Sequence, residues 1–210
     1  MSLITELKVP PTNTYQGLKS SFLSNNQKWY NEPYTCGKDI QGPDVWVWDN
    51  DVEHFSTPFL NRPGPFYRTP RPESQEPRPL VDVLRLLEEI FAYNGRKLGC
   101  VFRCNINMLR YAPEEKSWSA PHVDHRFPHK NLLLYLTPEC TTGGKTRVYK
   151  ETCTGLKGIE NRPKFEEYEE YTPKEDTAIM FDGMNYHQGQ CPTTFGERRI
   201  LLVATFCEEF

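Results

Sequence analysis

Beyond Asn94-Gly95 the chain offers one strand-like stretch after another and no further helix, and that succession limits the folds open to it. Cys100–Tyr111, Lys130–Thr137, Lys145–Tyr149, Thr177–Phe181 and Arg198–Phe206 are apolar or alternating stretches of strand length. Without helices between them, an alternating β-α order is excluded and an antiparallel sandwich or barrel follows. The strongest helix signal precedes them. Val81, Val83, Leu84, Leu86, Leu87, Ile90 and Phe91 recur at helical spacing. The run starts at Pro79, tolerated in a first turn, and stops at Asn94-Gly95. The expectation is a mainly β chain with supporting helices, one domain over residues 1–210. Residues 1–98 would give N-terminal helical and loop support and substrate-side elements, and 99–210 the core.

The remaining segments are less regular. Met1 to Gln16 reads as a strand or a tail, and Leu18 to Tyr30 as a short amphipathic helix carrying Leu18, Phe22 and Trp29. In Asp44 to Asp51, Val45 and Val47 alternate with Trp46 and Trp48, which suggests a strand. Its two Trp either pack the edge of the core or line a substrate cleft. Thr57 to Leu80 holds seven prolines and four arginines, so it is read as neither a central strand nor a helix but as a long loop. Its arginines form a solvated face or an anion-facing set. Lys150 to Asp176, with the acidic tract Phe165–Tyr171, is read as a solvated insertion loop, with a lid as the alternative.

A net charge of -3 gives no whole-chain footprint for nucleic acid. The seven cysteines are odd in number and contain no Cys-x-x-Cys pair, and Met1 to Pro10 lacks the pattern of a secretory signal. Reduced thiols and a cytoplasmic location are expected. No run of 18 apolar residues suggests a membrane span.

The chemistry centres on Ala120-Pro121-His122-Val123-Asp124-His125. On an extended strand His122 and Asp124 would project from one face. With His187 from a distant strand they make a two-histidine, one-carboxylate set, the pattern of non-haem Fe(II) oxygenases with open positions for a bidentate co-substrate and O₂. An α-keto acid co-substrate would need a cation for its far carboxylate. Arg198 and Arg199 open the last strand on opposite faces, and Arg198, eleven residues after His187, is the choice. Two rivals use the same residues differently. A metal-dependent hydrolase site of the His-x-His-x-Asp-His kind would need histidine where Ala120 stands. A zinc-stabilised module would recruit Cys100, Cys104 and a histidine, at an unsuitable x₃ spacing.

From about Cys104 to Phe206 the chain resembles the 2-oxoglutarate- and Fe(II)-dependent dioxygenases, most of all their prolyl 4-hydroxylase-like branch. The resemblance rests on an ordered set: Leu109-Arg110-Tyr111, His122-Val123-Asp124, Leu134-Tyr135-Leu136, Gly143-Gly144-Lys145-Thr146, Asp176 to Phe181, His187-Gln188-Gly189 and Gly196-Glu197-Arg198. It implies a double-stranded β-helix, or jelly roll. It implies Fe(II) at His122, Asp124 and His187, with 2-oxoglutarate reaching Arg198, O₂ as oxidant, and room for ascorbate as an auxiliary. Tyr111 falls where the family often has a co-substrate tyrosine, and Asn107 is a pocket residue on the same strand face. Leu134 lies near a second tyrosine position, with Tyr135 next to it. Related halogenases lack the carboxylate, so Asp124 points to hydroxylation. A decayed dioxygenase fold acting as a binding module is set against the presence of all three ligands. The expected substrate is a prolyl or other amino-acid residue in a peptide, or a free amino acid or small molecule, with nucleic acid the weaker option. His54 is expected to be structural, His125 and His129 solvated, and Gly143-Gly144 a tight turn.

Overall fold

The structure is a computed structural model and describes residues 2–32, 52–61, 71–72, 77–153 and 164–209. Its elements in order are β1 (Ile4–Lys8), α1 (Asn13–Leu23), β2 (Tyr30–Glu32), β3 (His54–Asn61), β4 (Arg71–Pro72), α2 (Pro77–Tyr93), β5 (Leu98–Arg110), β6 (Lys130–Tyr135), β7 (Thr146–Thr152), β8 (Tyr168–Tyr171), β9 (Thr177–Asp182), β10 (Asn185–Gly189) and β11 (Arg198–Glu208). A 3₁₀ turn at Glu114–Lys116 lies between β5 and β6. The expected Asp44–Asp51 strand, with Trp46 and Trp48, lies outside the described residues.

The strands pair into two antiparallel sheets, the jelly-roll architecture expected. The larger has eight strands in the order β1-β9-β6-β11-β5-β3-β2, with β4 on β3, and the smaller runs β10-β7-β8. β11 is buried on both faces because each receives a different core. On the outer face, Ile200, Leu202, Ala204 and Phe206 meet Ile106, Leu132 and Leu134 and the helices. There α2 presents Val83, Leu86, Leu87, Ile90 and Phe91, none more than 1% exposed. Burying each such side chain contributes about 1.5–3 kcal/mol, so this stripe anchors the helix where propensity alone would not. On the inner face, Leu201 and Val203 join Leu109, Leu133, Tyr135, Val148, Ile179 and Phe181.

Local signals explain the ends of the helices. The Thr12 side chain accepts the Tyr15 amide at 3.2 Å and starts α1 ahead of the expected Leu18, burying Tyr15, Leu18 and Phe22. After α2, Gly95 adopts φ 67, and the Arg96 amide bonds back to the Phe91 carbonyl at 2.9 Å. Asn94 then ties this end to β1, accepting the Lys8 amide at 3.0 Å and donating to the Lys8 carbonyl at 2.8 Å.

Two loop expectations are corrected. The proline-rich stretch contributes strand: β3 runs through Pro58, which pairs with Asn105 beside a register shift. Proline is tolerated there because the pairing with β2 has already stopped at Ser56, so Pro58 needs no ladder donor on that side. The acidic tract likewise forms β8 on β7. Its charges are met locally, Glu170 by Lys145 at 2.6 Å and Arg147 at 2.9 Å, while Glu169 accepts the Leu3 amide at 2.7 Å.

Candidate active site

The His122 segment is not a strand. It is held beside β10 by one bridge, in which the His122 amide donates to the His187 carbonyl at 3.0 Å and the His187 amide returns the bond at 2.9 Å. Further along, Trp118 stands opposite Gln190, the bonds there running from the Ser119 amide to the Gly189 carbonyl at 2.9 Å and from the Cys191 amide to the Ser117 carbonyl at 2.7 Å. The double hydrogen bond between His122 and His187 fixes the two histidines side by side, with ring centroids 4.4 Å apart. Asp124, two residues on, completes the set. One ligand atom from each of His122, Asp124 and His187 lies within 4.8 Å of the other two, a spacing that could hold a metal ion.

Hydrogen bonds orient each group. His122 Nδ1 faces the Ala120 carbonyl at 2.9 Å and His187 Nδ1 the Asn185 carbonyl at 3.4 Å. A carbonyl only accepts, so each Nδ1 carries the proton and each Nε2 keeps its lone pair for a metal. Asp124 accepts from Arg103 Nη1 on Oδ1 at 2.7 Å and from Asn131 Nδ2 on Oδ2 at 2.9 Å. Burial works to raise the Asp124 pKa. With no metal bound, a protonated His187 would donate to it, and that bond, with the charge of Arg103 and of the two rings when protonated, outweighs burial and holds the carboxyl well below its ordinary range.

These groups open on a cleft between the sheets. His54, Arg103, Asn107, Leu109, Ser119, Thr146, Gln188, Arg199, Leu201 and Val203 line it with the triad. Asn107 is therefore in the wall. His54, expected to be structural, lines the cleft from β3 and is 7% exposed.

Arg198 is not in the wall. Across β11 and β5 the inward set is Arg199↔Leu109, Leu201↔Asn107, Val203↔Asn105 and Thr205↔Arg103, whereas Arg198 pairs with Arg110 on the other face and is exposed. The arginine that stands in the wall is Arg199, 3% exposed, and not the expected Arg198. Arg199 donates to the Lys145 carbonyl at 3.0 Å and to Thr146 Oγ1 at 2.7 Å, and its guanidinium stands 5.1 Å from the Tyr135 ring. Its Nε is buried with no hydrogen-bond partner, and among the described residues no carboxylate pairs with it. A buried cation with an idle N–H fits an anionic ligand.

Tyr111 is also misplaced by the sequence reading. β5 ends at Arg110, the Ala112 amide turns to the Pro192 carbonyl at 3.0 Å, and Tyr111 is 41% exposed against the Phe195 ring. The tyrosine near the inner cation is Tyr135, whose hydroxyl shares Thr146 Oγ1 at 3.0 Å, while Leu134 points into the helix-side core. His125 and His129 are buried, not solvated. His125 Nε2 meets Thr205 Oγ1 at 2.7 Å and its ring stacks on Phe127, so it is turned away from the triad that a hydrolase site would need it to join. Gly143 and Gly144 adopt φ 74 and 72, as a tight turn requires.

No protein-family model matches the chain, and no curated protein matches it in sequence. Solved structures do match in fold. A 2OG-Fe(II) oxygenase family oxidoreductase from Burkholderia pseudomallei aligns with TM-score 0.59 at 12% identity, covering 98% of this chain and 85% of that one. The α-ketoglutarate-dependent epimerase SnoN of nogalamycin biosynthesis aligns with TM-score 0.55 at 13% identity, covering 98% and 78%. SnoN has also been solved with Fe3+, α-ketoglutarate and nogalamycin RO. A prolyl-4-hydroxylase from Pseudomonas putida aligns with TM-score 0.50 at 14% identity, covering 98% and 92%. The chain has the jelly-roll fold of the 2-oxoglutarate–Fe(II) oxygenases.

Proposed function

We propose that this protein is a 2-oxoglutarate- and Fe(II)-dependent oxygenase that hydroxylates an aliphatic C–H bond of a peptidyl residue, a free amino acid or another small molecule. One observation carries the reading: a two-histidine, one-carboxylate set and a buried arginine with an idle Nε line the same cleft. The first suits Fe(II) with positions to spare, and the second suits the far carboxylate of a dicarboxylic co-substrate.

His122 Nε2, His187 Nε2 and Asp124 would hold the iron, and Arg199 with Thr146 would hold 2-oxoglutarate. Bound Fe(II), with 2-oxoglutarate as reductant, would supply the oxygen chemistry. The chain's own part is binding and orientation. Leu133, Leu201 and Val203 make an apolar wall that excludes water, and Asn107 and His54 offer polar contacts to a substrate. The fold likeness to a prolyl hydroxylase supports a peptidyl substrate, and the likeness to SnoN supports a small molecule. Among the described residues no helix is long and apolar enough to cross a membrane. The odd number of cysteines, with no Cys-x-x-Cys pair, supports a cytoplasmic placement.

An anaerobic titration of the protein with Fe(II) and 2-oxoglutarate tests the reading. The expected result is a visible charge-transfer band of the chelate that is lost in His122→Ala. No band from the wild-type protein would overturn it.

A further inference from the structure

The end of the larger sheet nearest the triad carries a polar row on its inner face. Arg103 of β5, Thr205 of β11 and Asn131 of β6 stand in register on three adjacent strands, Thr205 opposite both of the others. Apolar side chains fill the next positions inward on β11 and β6, Val203 and Leu133. Polar groups at three neighbouring inward-facing positions cost stability unless each has a partner. All three find one in the two-residue step Asp124-His125: Arg103 on Asp124 Oδ1 at 2.7 Å, Asn131 on Asp124 Oδ2 at 2.9 Å, Thr205 on His125 Nε2 at 2.7 Å.

The two oxygens of Asp124 are thereby made unequal. Oδ2 lies 3.5 Å from His187 Nε2. Oδ1 is turned to the guanidinium, in a pair whose side chains are 18% and 6% exposed. Shielded from water, a charge-assisted bond of this kind is about twice as strong as a neutral one.

We propose that Arg103 is a positioning residue that reserves Oδ2 of Asp124 for the metal by keeping Oδ1 occupied. This rests on the iron reading above and adds a constraint to it. A carboxylate that bound through both oxygens would fill four of six octahedral positions together with the two histidines. A bidentate co-substrate would then have to displace Oδ1 or leave no position for O₂. With Oδ1 held by Arg103, three positions stay open.

The test titrates 2-oxoglutarate into anaerobic Fe(II)-loaded wild type, Arg103→Met and Arg103→Lys, reading the midpoint of the chelate band. A midpoint raised about 10-fold or more in Arg103→Met, and restored to within about threefold of wild type in Arg103→Lys, supports the proposal, the scale being that of outer-shell substitutions at metal sites. A wild-type midpoint in Arg103→Met, with the metal on Oδ2 alone in a crystal structure of that Fe(II)-loaded variant, overturns it. So does an Arg103→Lys variant that binds as poorly as Arg103→Met, because the loss would then follow the shape of the side chain and not the cation on Oδ1. A crystal structure of the Fe(II)-loaded wild type decides the matter if Arg103→Met does not fold: metal on Oδ2 alone with Arg103 still on Oδ1 supports the proposal, and metal on both oxygens overturns it. Failure of the wild type to bind Fe(II) would sink the oxygenase reading itself and is seen separately from either variant.

Discussion

His122 and His187 exchange a pair of backbone hydrogen bonds, at 3.0 and 2.9 Å, although 64 residues lie between them in the chain. The bridge joins the loop before β6 to β10, so the backbone brings the two rings together. Replacing either ring should therefore remove a ligand without removing the bridge. We expect His122→Ala and His187→Ala each to lower Co(II) affinity of the metal-free protein by at least about 100-fold, beyond the range for outer-shell residues. Their far-ultraviolet circular dichroism should match wild type. Calorimetric titration reads the first effect, and retention of wild-type affinity in either variant would remove that residue from the site.

Arg199 and Arg198 give a sharp contrast on adjacent positions of one strand. Arg199→Met should raise the 2-oxoglutarate midpoint by about 100-fold or more, the scale of losing one partner of a buried charged pair. Arg198→Met, exposed on the other face, should stay within about twofold, as surface substitutions generally do. The anaerobic band titration reads both. An Arg198 effect equal to that of Arg199 would mean that the co-substrate approaches from the outer face.

The contrast between these arginines also explains what the sequence could and could not reveal. α2 was legible because one face is apolar and the other charged, and β6 because it is an apolar run of strand length. β11 is buried on both faces, one against helices and one in the cleft, so the period-two alternation that would have told Arg198 from Arg199 is absent. Strand ends were equally hidden: Tyr111 continues the polar alternation of β5 in sequence, yet the chain turns after Arg110. The acidic tract read as loop because its charges suggest solvent, and it pairs as β8 because Lys145 and Arg147 neutralise it from the neighbouring strand. His125 and His129 looked solvated beside Arg126 and Lys130. Their burial depends on Phe127 and Thr205, and Thr205 is 80 residues from His125.

Gly183 opens a prediction about packing behind the site. A methyl group there would meet His129 Nε2 at 2.2 Å, and the His129 ring is 4% exposed, with the His125 ring 4.7 Å away. The ring has little room to yield. Gly183→Ala should destabilise the fold by about 1–3 kcal/mol, the usual cost of overpacking. In a His129→Ala background the same change should cost less than about 0.5 kcal/mol, since the colliding ring is gone. Urea unfolding of the four proteins gives the cycle. Additive costs would show that the strain lies elsewhere.

Cys104 links the helix-side core to alkaline pH. Burial pushes its thiol up to about 12, against the opposing pull of the Arg103 charge and the Leu60 backbone. The folded value lies above the unfolded one, so the neutral thiol stabilises the fold fully below pH 9 and that contribution is lost as pH rises from about 9 to about 12. The full shift corresponds to about 4 kcal/mol at 1.36 kcal/mol per unit, taken as an order of magnitude. Tyr171, also raised to about 12, and the buried Tyr135 weaken the fold in the same direction. The informative quantity is therefore the difference between wild type and Cys104→Ala. Below pH 8 the variant should be less stable by about 1 kcal/mol for the lost packing, and above pH 9 the gap should close and then reverse. Denaturant midpoints taken from pH 7 to 11 check it. A gap that stays constant with pH would show that the thiol ionises as easily in the folded chain as in the unfolded one.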